Sequence, residues 1–179
     1  VNTKEGYPTN IQVGDVERGK LGKMRKYPWQ TDTSVGKHSW CYVDGEENKN
    51  PRQIIHDLID IVSKNGNLLL NIGPRADGTI TEEQTAVLLA IGEWLKVNGE
   101  AIYGTRCWIK SGEGDVKGTT GSFTDNEDTP YTSRDIRFTS KGNDLYVIAL
   151  NGDSHEIIVS SLDRSTISDA RLLNVELLG

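Results

Sequence analysis

Six consecutive residues, Asn67-Leu68-Leu69-Leu70-Asn71-Ile72, form an apolar run of strand length between two stretches of helical periodicity. A strand this apolar is expected to be buried on both faces, and helices on its flanks are what bury it. Upstream, Asn50-Pro51-Arg52-Gln53 supplies an N-cap, a proline at the first helical position and a glutamine at the third, a capping-box arrangement. Ile54, Ile55, Leu58, Ile61 and Val62 then fall on one stripe, and Gly66 after Asn65 suits a C-cap. The spacing predicts a helix over 51–65. Downstream, Gly73-Pro74 stops the strand and Asp77-Gly78 marks a turn. Thr81 and Gln84 form a second capping box before Ala86, Val87, Leu88, Ile91, Trp94 and Leu95, with Gly99 closing that helix. Helix, buried strand, loop, helix is one unit of a parallel α/β sheet or barrel, and one unit needs further strands beside it.

The periodicity changes later in the chain. Glycine and acidic residues crowd the interval 110–130 (Gly112, Gly114, Gly118, Gly121, Asp125, Glu127, Asp128), which reads as a connection. Arg134 to Ser140 alternates with Ile136 and Phe138 inward, and Gly142-Asn143 turns the chain into Leu145 to Leu150. Asn151-Gly152 is a hairpin signal before His155 to Leu162, and Leu177-Leu178-Gly179 resembles one more strand. The expected fold class is α/β plus β: part of a barrel over 1–109, a connection over 110–130 and part of an antiparallel β-sandwich over 131–179. Residues 1–49 read as long loops that keep Tyr7, Trp29, Trp40 and Tyr42 among Asp15, Glu17, Arg18, Asp32 and His38.

Composition excludes some functions. Twenty-six Asp and Glu against 20 Lys and Arg give a net charge of −6, without the basic stripe that phosphate neutralisation requires, so no nucleic acid partner is expected. No run reaches the roughly 18 apolar residues of a membrane-spanning helix, and the first residues lack the apolar centre of a signal peptide. Met24 is the only methionine, so the Val1 start suggests a portion of a larger polypeptide. Cys41 and Cys107 cannot supply the four ligands of a structural zinc site, and neither metal nor cofactor is expected. The two cysteines fit a disulfide or two thiols, with thiols favoured. The chain has no Asn-X-Ser/Thr sequon, which favours a bacterial source or a surface never exposed to glycosylation.

Chemistry-bearing residues cluster at a few places. Asn71 stands at the C-terminal end of the apolar strand, where a parallel barrel places its functional groups and a hydrogen bond could reach a ligand or a neighbouring loop, although an Asn satisfying buried backbone groups is the commoner reading. Asp15-Val16-Glu17-Arg18 offers two carboxylates and a guanidinium, either a solvated loop or a general acid with its orienting charge. Lys37-His38-Ser39-Trp40-Cys41-Tyr42 carries a Trp face able to wall a sugar ring and a His able to donate to a hydroxyl; the alternative is a core Trp beside a surface His. Residues that close along a strand point to opposite faces, which excludes a Ser or Cys nucleophile read from this segment. Gly73 to Gly78 lacks the lysine of a phosphate-binding loop and reads as a turn.

Four ordered blocks carry a resemblance: Pro28-Trp29-Gln30-Thr31-Asp32-Thr33-Ser34, Ser39-Trp40-Cys41-Tyr42, Asn67 to Pro74 with Asp77-Gly78, and Asn98-Gly99-Glu100-Ala101-Ile102-Tyr103. Together they resemble the family 29 glycoside hydrolases, the α-L-fucosidases, and Arg134 to Thr139 resembles the start of that family's C-terminal sandwich. The resemblance implies an eight-stranded type of (α/β) barrel followed by the sandwich, incomplete here at both ends. It implies an exo-acting retaining hydrolase of terminal α-L-fucose on glycans, with Glu17 as general acid/base and Trp40 as the apolar wall for the C6 methyl. Trp29 and His38 are expected close to the pocket. The nucleophilic Asp belongs to a middle barrel strand that nothing in this chain resembles. The missing N-terminal half of the barrel is therefore an expected partner, and the isolated chain is expected to be inactive and prone to associate. A secreted or periplasmic location is expected. The competing readings are a non-catalytic carbohydrate-binding module and a structural fragment.

Overall fold

The computed structural model describes Pro8 and residues 11–167 and 172–178. Among the described residues, two sheets of three strands each are built around one pair of helices. The first is parallel, in the order β1 (Gly14–Glu17), β2 (Trp29–Ser34), β3 (Gly66–Asn71). Helices α1 (Pro51–Ser63) and α2 (Glu82–Asn98) cover one of its faces, where Val35, Ile54, Val87 and Ile91 form a core that Leu68, Leu70 and Ile72 pack against. The second sheet is antiparallel, in the order β4 (Arg106–Glu113), β5 (Ile136–Lys141), β6 (Asp144–Ala149).

Helix α1 starts where the sequence predicts, with Asn50 Oδ1 accepting the Arg52 N–H at 2.9 Å. The expected capping box is not reciprocal. Gln53 turns inward and donates to the Asp125 carbonyl at 2.6 Å. At the other end the left-handed position falls to Asn65 (φ 70°), while Gly66 opens β3. A side chain at Gly66 would strike the Trp29 indole and Ile61, so glycine is required there by packing. Thr81 caps α2 through the Gln84 N–H at 3.2 Å, and Gln84 then accepts from the Gly73 N–H at 3.2 Å rather than closing a box. The turn at 75–79 forms, with Gly78 at φ 84°.

Several expectations are corrected, the first being that 1–49 is loop: that stretch supplies strands β1 and β2 of the first sheet. The β3 strand is covered on one face only: Asn67 and Leu69 are exposed, because among the described residues β1 to β3 have helices on a single side. Arg106–Glu113, divided by the sequence reading between barrel and connection, is a strand of the second sheet. The expected strand over His155 to Leu162 is absent; that stretch is irregular and ends in a 3-10 turn at Ser160–Leu162. Residues 172–178 form no strand either, and Gly179 and Tyr7 lie outside the described residues. Ile136 and Phe138 are fully buried as the alternation predicts. Both cysteines are free thiols.

The sheets are joined through the polar side of α1. Asp60, 2% exposed, accepts from Lys64 Nζ at 2.6 Å and from the Arg137 Nε of β5 at 2.7 Å. Burial alone would push the Asp60 carboxyl up, but the two cations outweigh it and hold it below the ordinary carboxylate range. Lys20 pairs with Asp57 in the same buried layer.

Candidate active site

Residues paired in register across a parallel sheet project to the same side, and successive residues alternate. Leu68 and Leu70 pack toward the helices, so Asn67, Leu69 and Asn71 face the opposite side. The pairings Asp15 with Gln30, Glu17 with Asp32 and Ser34 with Asn71 carry that side across all three strands. One uncovered face therefore holds the carboxylates of Asp15, Glu17 and Asp32, with Glu17 exposed at the C-terminal end of β1. Burial, and next the neighbouring Asp32 carboxylate, push the Asp15 carboxyl up from its usual value.

Arg18 follows Glu17 at once and takes a left-handed conformation, φ 50°. That turn sends its side chain over the rim of the sheet. The guanidinium, on a residue only 6% exposed, donates to Ser34 Oγ at 2.8 Å, to the Gly36 carbonyl at 3.2 Å and to the Lys37 carbonyl. It also lies 5.2 Å from the centroid of a Trp40 ring, within cation–π range. Asn71 completes the support, its amide donating to the Trp40 carbonyl at 2.7 Å. Glu17, through the adjacent Arg18, and Trp40, through Arg18 and Asn71, thus share the rim where the strands end.

Behind the rim stands a buried charge cluster that sequence reasoning missed. Asp125, from the connection, lies 3.4 Å from Arg18 Nε and accepts from Lys49 Nζ at 2.7 Å and from Thr33 Oγ1. Lys49 spends its other donors on Thr33 Oγ1 at 2.7 Å and the Ser34 carbonyl at 2.8 Å. Burial pushes the Lys49 ammonium down from its usual value, with the Asp125 carboxylate pulling the other way. No local pattern in the sequence signals Asp125, which sits among glycines and surface acids.

His38 lies on the loop after β2, its side chain 66% exposed, with its backbone N–H held by Glu46 Oε1 at 2.6 Å. Trp29 is the correction. It is 1% exposed, starts β2 at the N-terminal edge, faces the helices and donates its indole N–H to the Lys64 carbonyl at 2.9 Å. The structure does not bring it to the rim that holds Trp40.

The family model for alpha-L-fucosidase matches residues 2–100, more than half of the chain. The chain belongs to the alpha-L-fucosidase family. Human tissue alpha-L-fucosidase is 35% identical over 145 residues, covering 79% of this chain and 28% of that protein. An alpha-L-fucosidase structure aligns with a TM-score of 0.66 at 34% identity, over 83% of this chain and 31% of that one. The structure of Thermotoga maritima alpha-fucosidase in complex with fucose aligns with a TM-score of 0.61 at 34% identity, over 82% of this chain and 29% of the other. This member of the family thus spans under a third of the length of these relatives. Relatives of this kind are glycoside hydrolases.

Proposed function

We propose that this chain forms the acid/base side of a retaining exo-α-L-fucosidase site, acting on terminal fucose of glycans. The observation that carries the reading is the shared rim: Glu17 ends β1, and Arg18, the next residue, holds the loop that carries Trp40. A retaining glycosidase needs two carboxyl groups about 5–5.5 Å apart, one to protonate the leaving oxygen and one to attack the anomeric carbon. Glu17 is the proton donor and, in the second half-reaction, the base that activates water. Trp40 supplies the apolar wall against the C6 methyl of fucose, which favours a 6-deoxy sugar over one with a hydroxyl to desolvate. His38 stands on the same loop as a polar contact for the sugar.

The attacking carboxylate comes from barrel strands that precede β1 in the intact enzyme. The bare face of the sheet supports this part of the reading, since Leu69 is 55% exposed on the side where an eight-stranded barrel has its packed interior. Alone, the chain is inactive toward fucosides and associates through that face. A sheet of the second kind, β4 to β6, opens the sandwich that follows.

The test uses the enzyme in which this chain is joined to its preceding barrel strands. Glu17→Gln should depress kcat/KM for a fucoside with a poor leaving group by about two orders of magnitude while sparing kcat/KM for one with a good leaving group, because only the former needs protonation in the first half-reaction. Equal losses on both substrates would move the acid/base role to another residue.

A further inference from the structure

The connection between the two sheets does not bypass the rim but is pinned to the residues around Glu17. The Phe123 N–H donates to the Glu17 carbonyl at 3.0 Å, the Thr124 N–H to the Arg18 carbonyl at 2.8 Å, and the Gly121 N–H to the Lys20 carbonyl at 2.8 Å. Asp125 fastens the far end through its buried pairs with Arg18 and Lys49, and Gln53 holds its carbonyl at 2.6 Å. The segment turns at Gly121, φ 109°, whose carbonyl accepts Thr124 Oγ1 at 2.9 Å.

Phe123 is the residue this scaffold presents. It takes φ 59°, a conformation that a bulky side chain rarely adopts, and it is 68% exposed. The chain has two phenylalanines, and the other, Phe138, is fully buried in the second sheet. An exposed ring on a strained, firmly anchored main chain beside a proton donor has a direct chemical reading. A general acid donates to the glycosidic oxygen, so whatever is bonded to that oxygen lies next to the acid, on its own side of the sugar.

We propose that Phe123 forms the leaving-group platform of the site, stacking against the pyranose or aryl ring attached to the scissile oxygen. The ring gives an apolar face for the C–H side of such a group. This assignment rests on the fucosidase reading with Glu17 as acid, and it adds a contact from the connecting segment rather than from the barrel. The segment would then couple the second sheet to substrate choice, since its anchor at Asp125 and its ring at Phe123 are two residues apart.

The experiment compares wild type, Phe123→Ala and Phe123→Tyr in the enzyme joined to its preceding barrel strands. Two substrates are used: α-L-fucosyl fluoride, whose leaving group has no ring, and a fucosyl disaccharide. Phe123→Ala should lower kcat/KM for the disaccharide about fivefold, mainly through KM, with fucosyl fluoride unchanged and Phe123→Tyr restoring the disaccharide rate. Equal effects on both substrates, or none on either, would overturn the platform while leaving the fucosidase reading intact. Absence of fucosyl fluoride hydrolysis by the wild-type enzyme would overturn that reading and the platform with it.

Discussion

The Arg18 guanidinium lies 5.2 Å from the centroid of a Trp40 ring while donating to Ser34 Oγ at 2.8 Å and to two carbonyls of the loop between them. One side chain, on the residue after Glu17, therefore reaches Trp40 and the loop that carries it. Lysine has no planar fork and cannot make these contacts together. Arg18→Lys should lower the unfolding free energy by about 2–4 kcal/mol, since it also leaves the Asp125 carboxylate short of a partner. Urea unfolding followed by tryptophan fluorescence measures this, and a loss below the error of the method would remove Arg18 from its structural role.

Trp29 provides the control for the placement of the two tryptophans. Trp29→Phe removes the indole donor to the Lys64 carbonyl, a bond of 2.9 Å, and leaves a void beside Gly66. Stability should fall by about 1–3 kcal/mol, with KM for a fucoside unchanged. Trp40→Phe should do the reverse, raising KM with little loss of stability. A rise in KM for Trp29→Phe would return that residue to the pocket.

The contrast between these tryptophans shows what was legible in the sequence. Both sit in motifs shared with fucosidases, and motif membership says nothing about which face of β2 a side chain takes. Strand parity does: Leu68 and Leu70 turn to the helices, and register then sends Trp29 with them and Asp32 with Glu17. Local signals were readable where a cap or turn works within four residues, as at Asn50 with Pro51, Thr81 and Gly78. The partners of Arg18 were not, because Asp125 and Lys49 reach it through tertiary folding alone. Asn151-Gly152 misled for the opposite reason: a good turn sequence makes no hairpin when 153–159 finds no strand to pair with.

Gly19 is open to a packing test. A Cβ there would collide with the Gly121 carbonyl and would sit 3.1 Å from Thr124 Oγ1. Gly19→Ala should push the connecting segment off the rim at a cost of about 1–3 kcal/mol. Hydrogen exchange should then quicken at the amides of Phe123 and Thr124, which are bonded to Glu17 and Arg18. Unchanged exchange would show that the segment is held in some other way.

Acid stability should report Asp60. Its folded carboxyl is held below the ordinary value near 3.8 by Lys64 and Arg137, against the opposing pull of burial. A depressed carboxylate contributes stability that is full above the unfolded value and lost as pH falls through the folded one. Asp60→Asn should cost about 3–5 kcal/mol at neutral pH and flatten the decline of stability below pH 4. A variant that keeps the wild-type acid limb would place the controlling carboxylate elsewhere.

The central claim, that Glu17 moves the proton in a retaining fucosidase, is tested most directly by chemical rescue. Glu17→Ala in the joined enzyme removes the base needed to activate water, whereas azide attacks a glycosyl-enzyme without one. With an aryl α-L-fucoside, azide should restore turnover and yield α-L-fucosyl azide, the retained product. Failure of azide to restore turnover, or formation of the β-anomer, would contradict the account.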